Sequence, residues 1–348
     1  MERALIVTPE YPPWSGPSGP GIIARDLAGE LEATGQTVEI LAPGPDGEEF
    51  IHLDPDGRLV HRVCGERSYV RKAVLAVLRR PRGGGAFAAR SAERVVELSV
   101  LWGRRFTRIV LVGESRILAL PIPFRTSGGS PSSFIPAPPP RSVDVVVCGG
   151  EGTPARETIA RLVAEAEALG RDGVPARVVA VARATAPRGH GAVGWLSCRE
   201  GGIAVQRDLA LASTTGDLVV FVAETAGVHP GFLRAHLGAA TTYPEATGIA
   251  GRVTSRQAGR QGSAYREVGQ VRATGFVERH HDSLVSSPRL VAQLPAEGNW
   301  SLRRAAADAL LGGPTWFAPG AGAEELGRRI FRRGGFLVYE PHAAVEVA

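Results

Sequence analysis

Lysine is almost missing from this chain of 348 residues: Lys72 is the only one, and Met1 is the only methionine. The formal charge of +5 therefore rests on arginines. They are scattered among acids rather than gathered into a run, which argues against a basic stripe tracking a nucleic-acid backbone. The three cysteines, Cys64, Cys148 and Cys198, form no close pair. Neither a disulfide framework nor a zinc knuckle is indicated, and a reducing compartment is expected. No stretch reaches the roughly 18 apolar residues of a membrane-spanning helix. The start, Met1-Glu-Arg, runs into only four apolar residues, too few for a signal-peptide core. These absences predict a cytoplasmic protein without an integral membrane segment.

What is present is globular. With 44% hydrophobic and 22% charged residues, the chain is long enough for two ordinary domains. The stretch Ser127-Gly-Gly-Ser-Pro-Ser-Ser-Phe-Ile-Pro-Ala-Pro-Pro-Pro-Arg141 reads as a linker, loosened by glycine and serine and stiffened by consecutive prolines. The expected division is 1–127, a linker at 128–141, and 142–348.

The first unit opens with a buried-strand pattern, Ala4-Leu-Ile-Val7. A proline- and glycine-rich loop follows, then a helical segment from Ile22 with Ile22, Ile23, Leu27 and Leu31 as its apolar face. Gly35 ends that helix and Thr37-Val-Glu-Ile-Leu41 supplies the next strand, which is the spacing of a βαβ crossover. A helix near 86–102 and a strand at 108–112 continue the unit. The loop Thr8-Pro-Glu-Tyr-Pro-Pro13 and its glycines resemble the opening of GT-B glycosyltransferases, so the resemblance implies a truncated Rossmann-like unit. Gly16, Gly19 and Gly21 could cradle a phosphate at the helix start. Pro17 and Pro20 break the usual spacing, and a structural loop is the preferred reading.

In the second unit Ser142-Val-Asp-Val-Val-Val-Cys148 is a strand, 156–170 carries helical periodicity, and Arg177-Val-Val-Ala-Val181 is the next strand. Residues 201–233 follow, with the strand Leu218-Val-Val-Phe-Val222. Gly298-Asn-Trp-Ser-Leu-Arg-Arg304 and the run from Leu326 to Pro341 close the unit. In this order, residues 142–347 resemble a GT-A-type, family-two glycosyltransferase, a mixed-sheet α/β fold. The chain departs from the family where the chemistry sits. The Asp-x-Asp element that holds the divalent metal falls on Ala223 and Thr225, and the strand-end aspartate of the nucleotide site falls near Ala182-Arg183. The base-bearing Gly-Glu-Asp falls on Ala321-Gly322-Ala323, and the metal-contacting histidine falls on Val347. Scaffold positions such as Gly216-Asp217, Phe221, Arg303-Arg304 and Glu340-Pro341 still fit the family's pattern.

The resemblance implies donor-side positions at Cys148, Arg183, Arg207, Ala223, Thr225, Asn299 and Arg303, and acid–base candidates at Glu324, Glu224 and Glu325. An arginine fork matches a phosphate, so Arg183 or Arg207 could stand where the metal charge is missing. The structural alternative for Arg207 is a surface pair with Asp208 or Asp217. Strand alternation turns Glu224 away from the site, and Glu325 suits a helix N-terminus beside Arg328 and Arg329. Glu278-Arg-His-His-Asp282 clusters metal-ligand types, but adjacent histidines rarely face one ion, and a solvated loop is expected. The function implied is a glycosyltransferase of bacterial glycoconjugate or specialised-metabolite biosynthesis. It would take a nucleotide sugar as donor and work without a divalent metal if active. The alternative is a catalytically silent homologue that binds a nucleotide, sugar or glycan and supports a partner enzyme.

Overall fold

The computed structural model describes residues 2–13, 19–45, 48–63, 91, 94–95, 98, 106–112, 117–121, 138–148, 154–183, 191–199, 202–255, 268–271, 277–285, 289–311, 316–317 and 322–347. The expected linker up to residue 137, most of the expected 86–102 helix, and Gly16 and Pro17 lie outside these residues.

The first sheet is built from β1 (Arg3–Val7), β2 (Thr37–Pro43), β3 (Phe50–Leu53), β4 (Leu59–Val63), β5 (Arg108–Val112) and β6 (Ile117–Pro121), in the order β3-β4-β2-β1-β5-β6. Its four central strands are parallel, and the two edges are antiparallel. The expected crossover is present: β1 leads through α1 (Pro20–Ala33) to β2, and Gly35 sits past the helix end at φ 84°. The face of α1 is the expected one in part, since Leu27 and Leu31 pack against the core. Ala24, Ala28 and Leu31 are buried and Ile23 is exposed, because small side chains bring this helix close to the sheet. A Cβ on Gly19 would lie 3.2 Å from the Glu10 carboxylate, so the chain's own anion stands at the helix start.

The second sheet carries the site. Its strands are β7 (Val143–Cys148), β8 (Ala176–Ala182), β9 (Val193–Ser197), β10 (Leu218–Ala223), β11 (Gly227–Val228), β12 (Gly248–Ser255), then β15 (Val291–Ala292), β16 (Asn299–Arg303) and β17 (Leu337–Val347), with β13 (Gln270–Val271) and β14 (Val277–Glu278) forming a separate pair. The path runs β11-β17-β12-β16-β10-β7-β8-β9, and β15 joins at β17. Strands β10, β7, β8 and β9 are parallel, whereas β16 runs antiparallel to β10. The strands are apolar on both faces because helices cover both. Val143, Val145, Val147, Leu218, Val220 and Val222 share a core with α2 (Arg156–Arg171) and α4 (Phe232–Thr242). The alternate residues Val146, Cys148, Val219 and Phe221 share one with α3 (Ile203–Ala212), α5 (Arg304–Leu311) and α6 (Ala323–Arg332).

Family-like scaffold residues have packing roles here. Asp144 accepts both Nε and Nη2 of Arg177, at 3.0 and 3.1 Å, and the Thr215 N–H at 2.7 Å. A Cβ on Gly216 would meet Asp144 N at 2.8 Å, so only glycine fits there. Asp217 accepts the Arg141 N–H at 2.8 Å and fastens the end of the linker. The two sheets meet where Leu53 N–H donates to Arg289 O at 3.2 Å and Leu290 bridges His52. Among the described residues no helix is long and apolar enough to cross a membrane.

Candidate functional site

The parallel strands β8, β7 and β10 define a point where the order reverses. The connection from β7 goes to β8 on one side, and the chain then returns to β10 on the other. At such a switch point the loops leave in opposite directions and open a crevice beyond the carboxyl ends of the strands. A pocket of about 150 Å³ lies there, lined by Cys148 at the end of β7 and Ala223 at the end of β10, which are register partners. The volume suits a phosphate-sized group and is smaller than the several hundred Å³ of a whole small-molecule pocket. The loops after β7 and β8, residues 149–153 and 184–190, lie outside the described residues.

Arg207, on the second turn of α3, supplies the cation. The residue is 5% exposed, and its guanidinium carbon lies 5.8 Å from the Trp300 ring centre and 5.5 Å from that of Phe317. Trp300 in turn stacks on Phe221 at 4.1 Å, so an aromatic platform from β10 and β16 holds the charge in place. Arg207 Nη2 donates to the Glu297 carboxylate, while Nη1 is buried without an acceptor. The Trp300 indole N–H is likewise buried and unpartnered. The expected alternative, a surface pair with Asp208 or Asp217, is not what forms. Asp208 accepts the N–H groups of Trp316 and Phe317, both at 3.2 Å, and Asp217 is held by Arg141.

Glu297 was missed by the motif reading. It sits on a turn closed by Asn299 N–H to Ala296 O at 3.2 Å, with Gly298 at φ 82°. Register could have found it: β10 and β16 are antiparallel with Val222 opposite Asn299. Continuing the ladder brings Ala223 beside Gly298 and Glu224 beside Glu297, and the Ala223 N–H does donate to Gly298 O at 2.9 Å. A Cβ on Gly322 would stand 4.0 Å from Glu297 Oε2, so this carboxylate also lies against the start of α6.

The remaining candidates divide by position. Cys148 walls the pocket, and burial pushes its thiol up to about 12 even though Arg207 pulls the other way. Glu224 borders the pocket rather than turning away as alternation predicts. Strand β10 ends at Ala223, and residues 223–226 form a turn closed by Ala226 N–H to Ala223 O at 3.2 Å, which ends the two-residue period. Thr225 is the exposed corner of that turn. Arg183 follows β8 directly and is exposed on the same edge of the sheet. Glu324 bonds Arg279 at 2.8 Å in place of the pocket, and Glu325 lies in the first turn of α6. Arg329 donates to the Trp316 carbonyl at 2.8 Å.

Two donor-side expectations meet a different arrangement. Arg303 is the register partner of Leu218, at the far end of β10, about five residues or ~17 Å from Ala223. It donates to the carbonyls of Pro138 and Tyr243 and ties the linker to α4. Asn299 faces the opposite side of the sheet. Its amide donates to Arg252 O and Ala343 O, both at 2.8 Å, and its oxygen meets His236 Nε2 at 3.0 Å, with Ser301 on the other ring nitrogen. Within 278–282, the solvated loop expected from sequence is partly core. His281 is buried, its Nε2 meets Leu294 O at 3.1 Å, and the Tyr339 hydroxyl donates to the carbonyls of His281 and Ser283.

The divalent metal implied by the family resemblance does not fit this donor set. The positions to which the resemblance assigns its carboxylates and histidine hold Ala223, Thr225 and Val347, and among the described residues no group of three His, Cys, Asp or Glu could hold a metal ion.

The chain is similar to several solved structures. One is GalNAc-T7 with UDP, GalNAc and Mn2+, at 14% identity and TM-score 0.46 over 60% of this chain and 44% of that one. Another is S. aureus TarS 1-349 in complex with UDP-GlcNAc, at 13% and 0.40 over 59% and 58%. A third is the mannosyltransferase PcManGT from Pyrobaculum calidifontis with GDP-Man and Mn2+, at 18% and 0.37 over 63% and 60%. The likeness thus spans 44% to 60% of those chains. No protein-family model matches the chain, and no curated protein sequence does.

Proposed function

We propose that this chain is a glycosyltransferase-family protein that binds the diphosphate of a nucleotide sugar with Arg207 instead of a divalent metal. The observation that carries the reading is the buried guanidinium of Arg207, with Nη1 free of any acceptor, at the crevice between β7 and β10. A fixed planar fork matches the geometry of a phosphate. An aromatic platform and low exposure raise its worth for an anion above that of a surface arginine. The GT-A-like motifs of residues 142–347 supply the substrate class, and the GT-B-like opening of the first unit supplies a second Rossmann-like body. The composition, rich in Ala, Gly, Arg and Pro, fits a bacterial source and a place in glycoconjugate or specialised-metabolite synthesis.

In such a transfer the acceptor oxygen bonds to the anomeric carbon as that carbon's bond to the phosphate oxygen breaks. The electron pair leaves with the diphosphate onto Arg207, and the acceptor proton passes to a carboxylate. Glu297 lines the pocket and, once released from Arg207, is placed for that proton, whereas Glu324 does not line the pocket and is engaged by Arg279. That engagement also favours the second reading, a silent homologue that keeps nucleotide affinity and supports a partner enzyme. Titration with a panel of nucleotides and nucleotide sugars in EDTA, followed by 31P NMR of donor turnover with candidate acceptors, separates the readings. Binding with turnover supports the transferase, and binding without turnover supports the silent homologue. Absence of binding across the panel refutes both.

A further inference from the structure

The ion pair at the heart of the pocket is unequal. Arg207 is buried, whereas the Glu297 side chain is 60% exposed. The arginine cannot leave without breaking its aromatic platform, but the glutamate can turn out from its own turn without any backbone change. The guanidinium is also only partly used, since Nη1 has no acceptor. A carboxylate that satisfies one arm of a buried fork, and can withdraw, is a stand-in for a larger anion with more oxygens. Charge points the same way. The pocket is lined by one cation, Arg207, and two acids, Glu224 and Glu297, so with Glu297 in place it repels the anion that Arg207 is shaped to hold.

We infer that Glu297 is an internal competitor for Arg207, displaced when a nucleoside diphosphate binds, so that donor binding releases the carboxylate that faces the acceptor. This rests on the diphosphate reading of the Arg207 pocket. The released carboxylate has somewhere to go. Gly322, the N-cap of α6, makes no side-chain cap, and Glu297 Oε2 already lies 4.0 Å from where a side chain at 322 would begin. The first N–H groups of a helix favour an anion beside them. The exchange thus moves one negative charge from Arg207 to α6 as the diphosphate takes its place, and donor must bind before the acceptor is activated.

The test is calorimetric titration of the full chain in EDTA with UDP, GDP and inorganic pyrophosphate as probes. Loss of an exposed competing charge predicts that Glu297→Gln and Glu297→Ala bind about threefold to fivefold tighter than the native protein. Glu324→Gln removes a nearby acid that pairs with Arg279 and not with Arg207, and its affinity should stay within about twofold of native, as expected for a screened surface charge. Unchanged or weaker binding by both Glu297 variants overturns the competitor while leaving the diphosphate site standing. Equal tightening by Glu324→Gln does the same, since the effect is then general repulsion. Failure of native protein and variants alike to bind any probe overturns the diphosphate site, and the competitor with it.

Discussion

Acid should unfold this protein well before its carboxylates titrate, because three buried histidines are held neutral. His52 lies in β3, His236 in α4 and His281 in the 278–282 segment, and all three are buried. Burial is the leading cause in each case. It lowers His236 and His281 to about 4 and His52 to about 3, with the Arg62 charge adding to the effect at His52. The unfolded chain takes up these protons near the ordinary value of about 6.5. Stability is therefore complete above about pH 6.5 and falls as pH drops from there toward 4. Between those limits each site contributes a slope of about 1.4 kcal/mol per pH unit, so three together give about 4. From pH 6.5 to 5 the loss is of order 5 kcal/mol, comparable to the whole stability of an ordinary domain. Urea unfolding followed by tryptophan fluorescence at pH 7.5, 6.5, 5.5 and 5 measures the slope directly. His236→Gln, which keeps a donor and an acceptor for Asn299 and Ser301, should remove about one proton's worth. A stability that stays flat between pH 7 and 5 refutes the neutral, buried assignment of all three.

Further outcomes follow from single contacts. Gly298→Ala places a side chain at φ 82° and 2.5 Å from the Ala223 Cβ, which should cost about 1–3 kcal/mol, read as a lowered thermal midpoint. Arg303→Ala abandons the carbonyls of Pro138 and Tyr243 and should destabilise by about 1–3 kcal/mol. Because Arg303 lies at the other end of β10, nucleotide affinity of the folded variant should change less than about twofold; a large affinity loss would return it to the donor site. Cys148, with its thiol pushed up to about 12, should resist iodoacetamide at pH 8 in the native protein and react on unfolding, which mass spectrometry can follow.

The framework of the second sheet was legible because its strands are apolar on both faces, and only buried parallel strands carry runs such as Leu218-Val-Val-Phe-Val222. The crossover at residues 3–41 was legible for a similar reason, with glycine marking the helix end. The face of α1 was legible only at Leu27 and Leu31, since Ala24 and Ala28 carry no hydropathy signal that competes with the exposed Ile23. Arg207 and Cys148, singled out from motifs that resemble the family's, both line the pocket. Asn299 and Arg303 belong to an equally matched motif yet serve packing, because a strand residue's face and end decide what it reaches. Glu297 lies just outside that motif, and only the pairing of β10 with β16 brings it to the pocket. His281 read as a loop residue because its partners, the Leu294 carbonyl and the Tyr339 ring, are distant in sequence.

The proposed function turns on Arg207 holding a diphosphate without a divalent metal. Calorimetric titration of UDP and GDP into native protein and Arg207→Ala, each with EDTA and with manganese, tests it most directly. The native protein should bind with equal affinity in the two media, and Arg207→Ala should lose about tenfold to a hundredfold from the missing charge-assisted hydrogen bonds. Binding that appears only with manganese, or that survives Arg207→Ala unchanged, contradicts it.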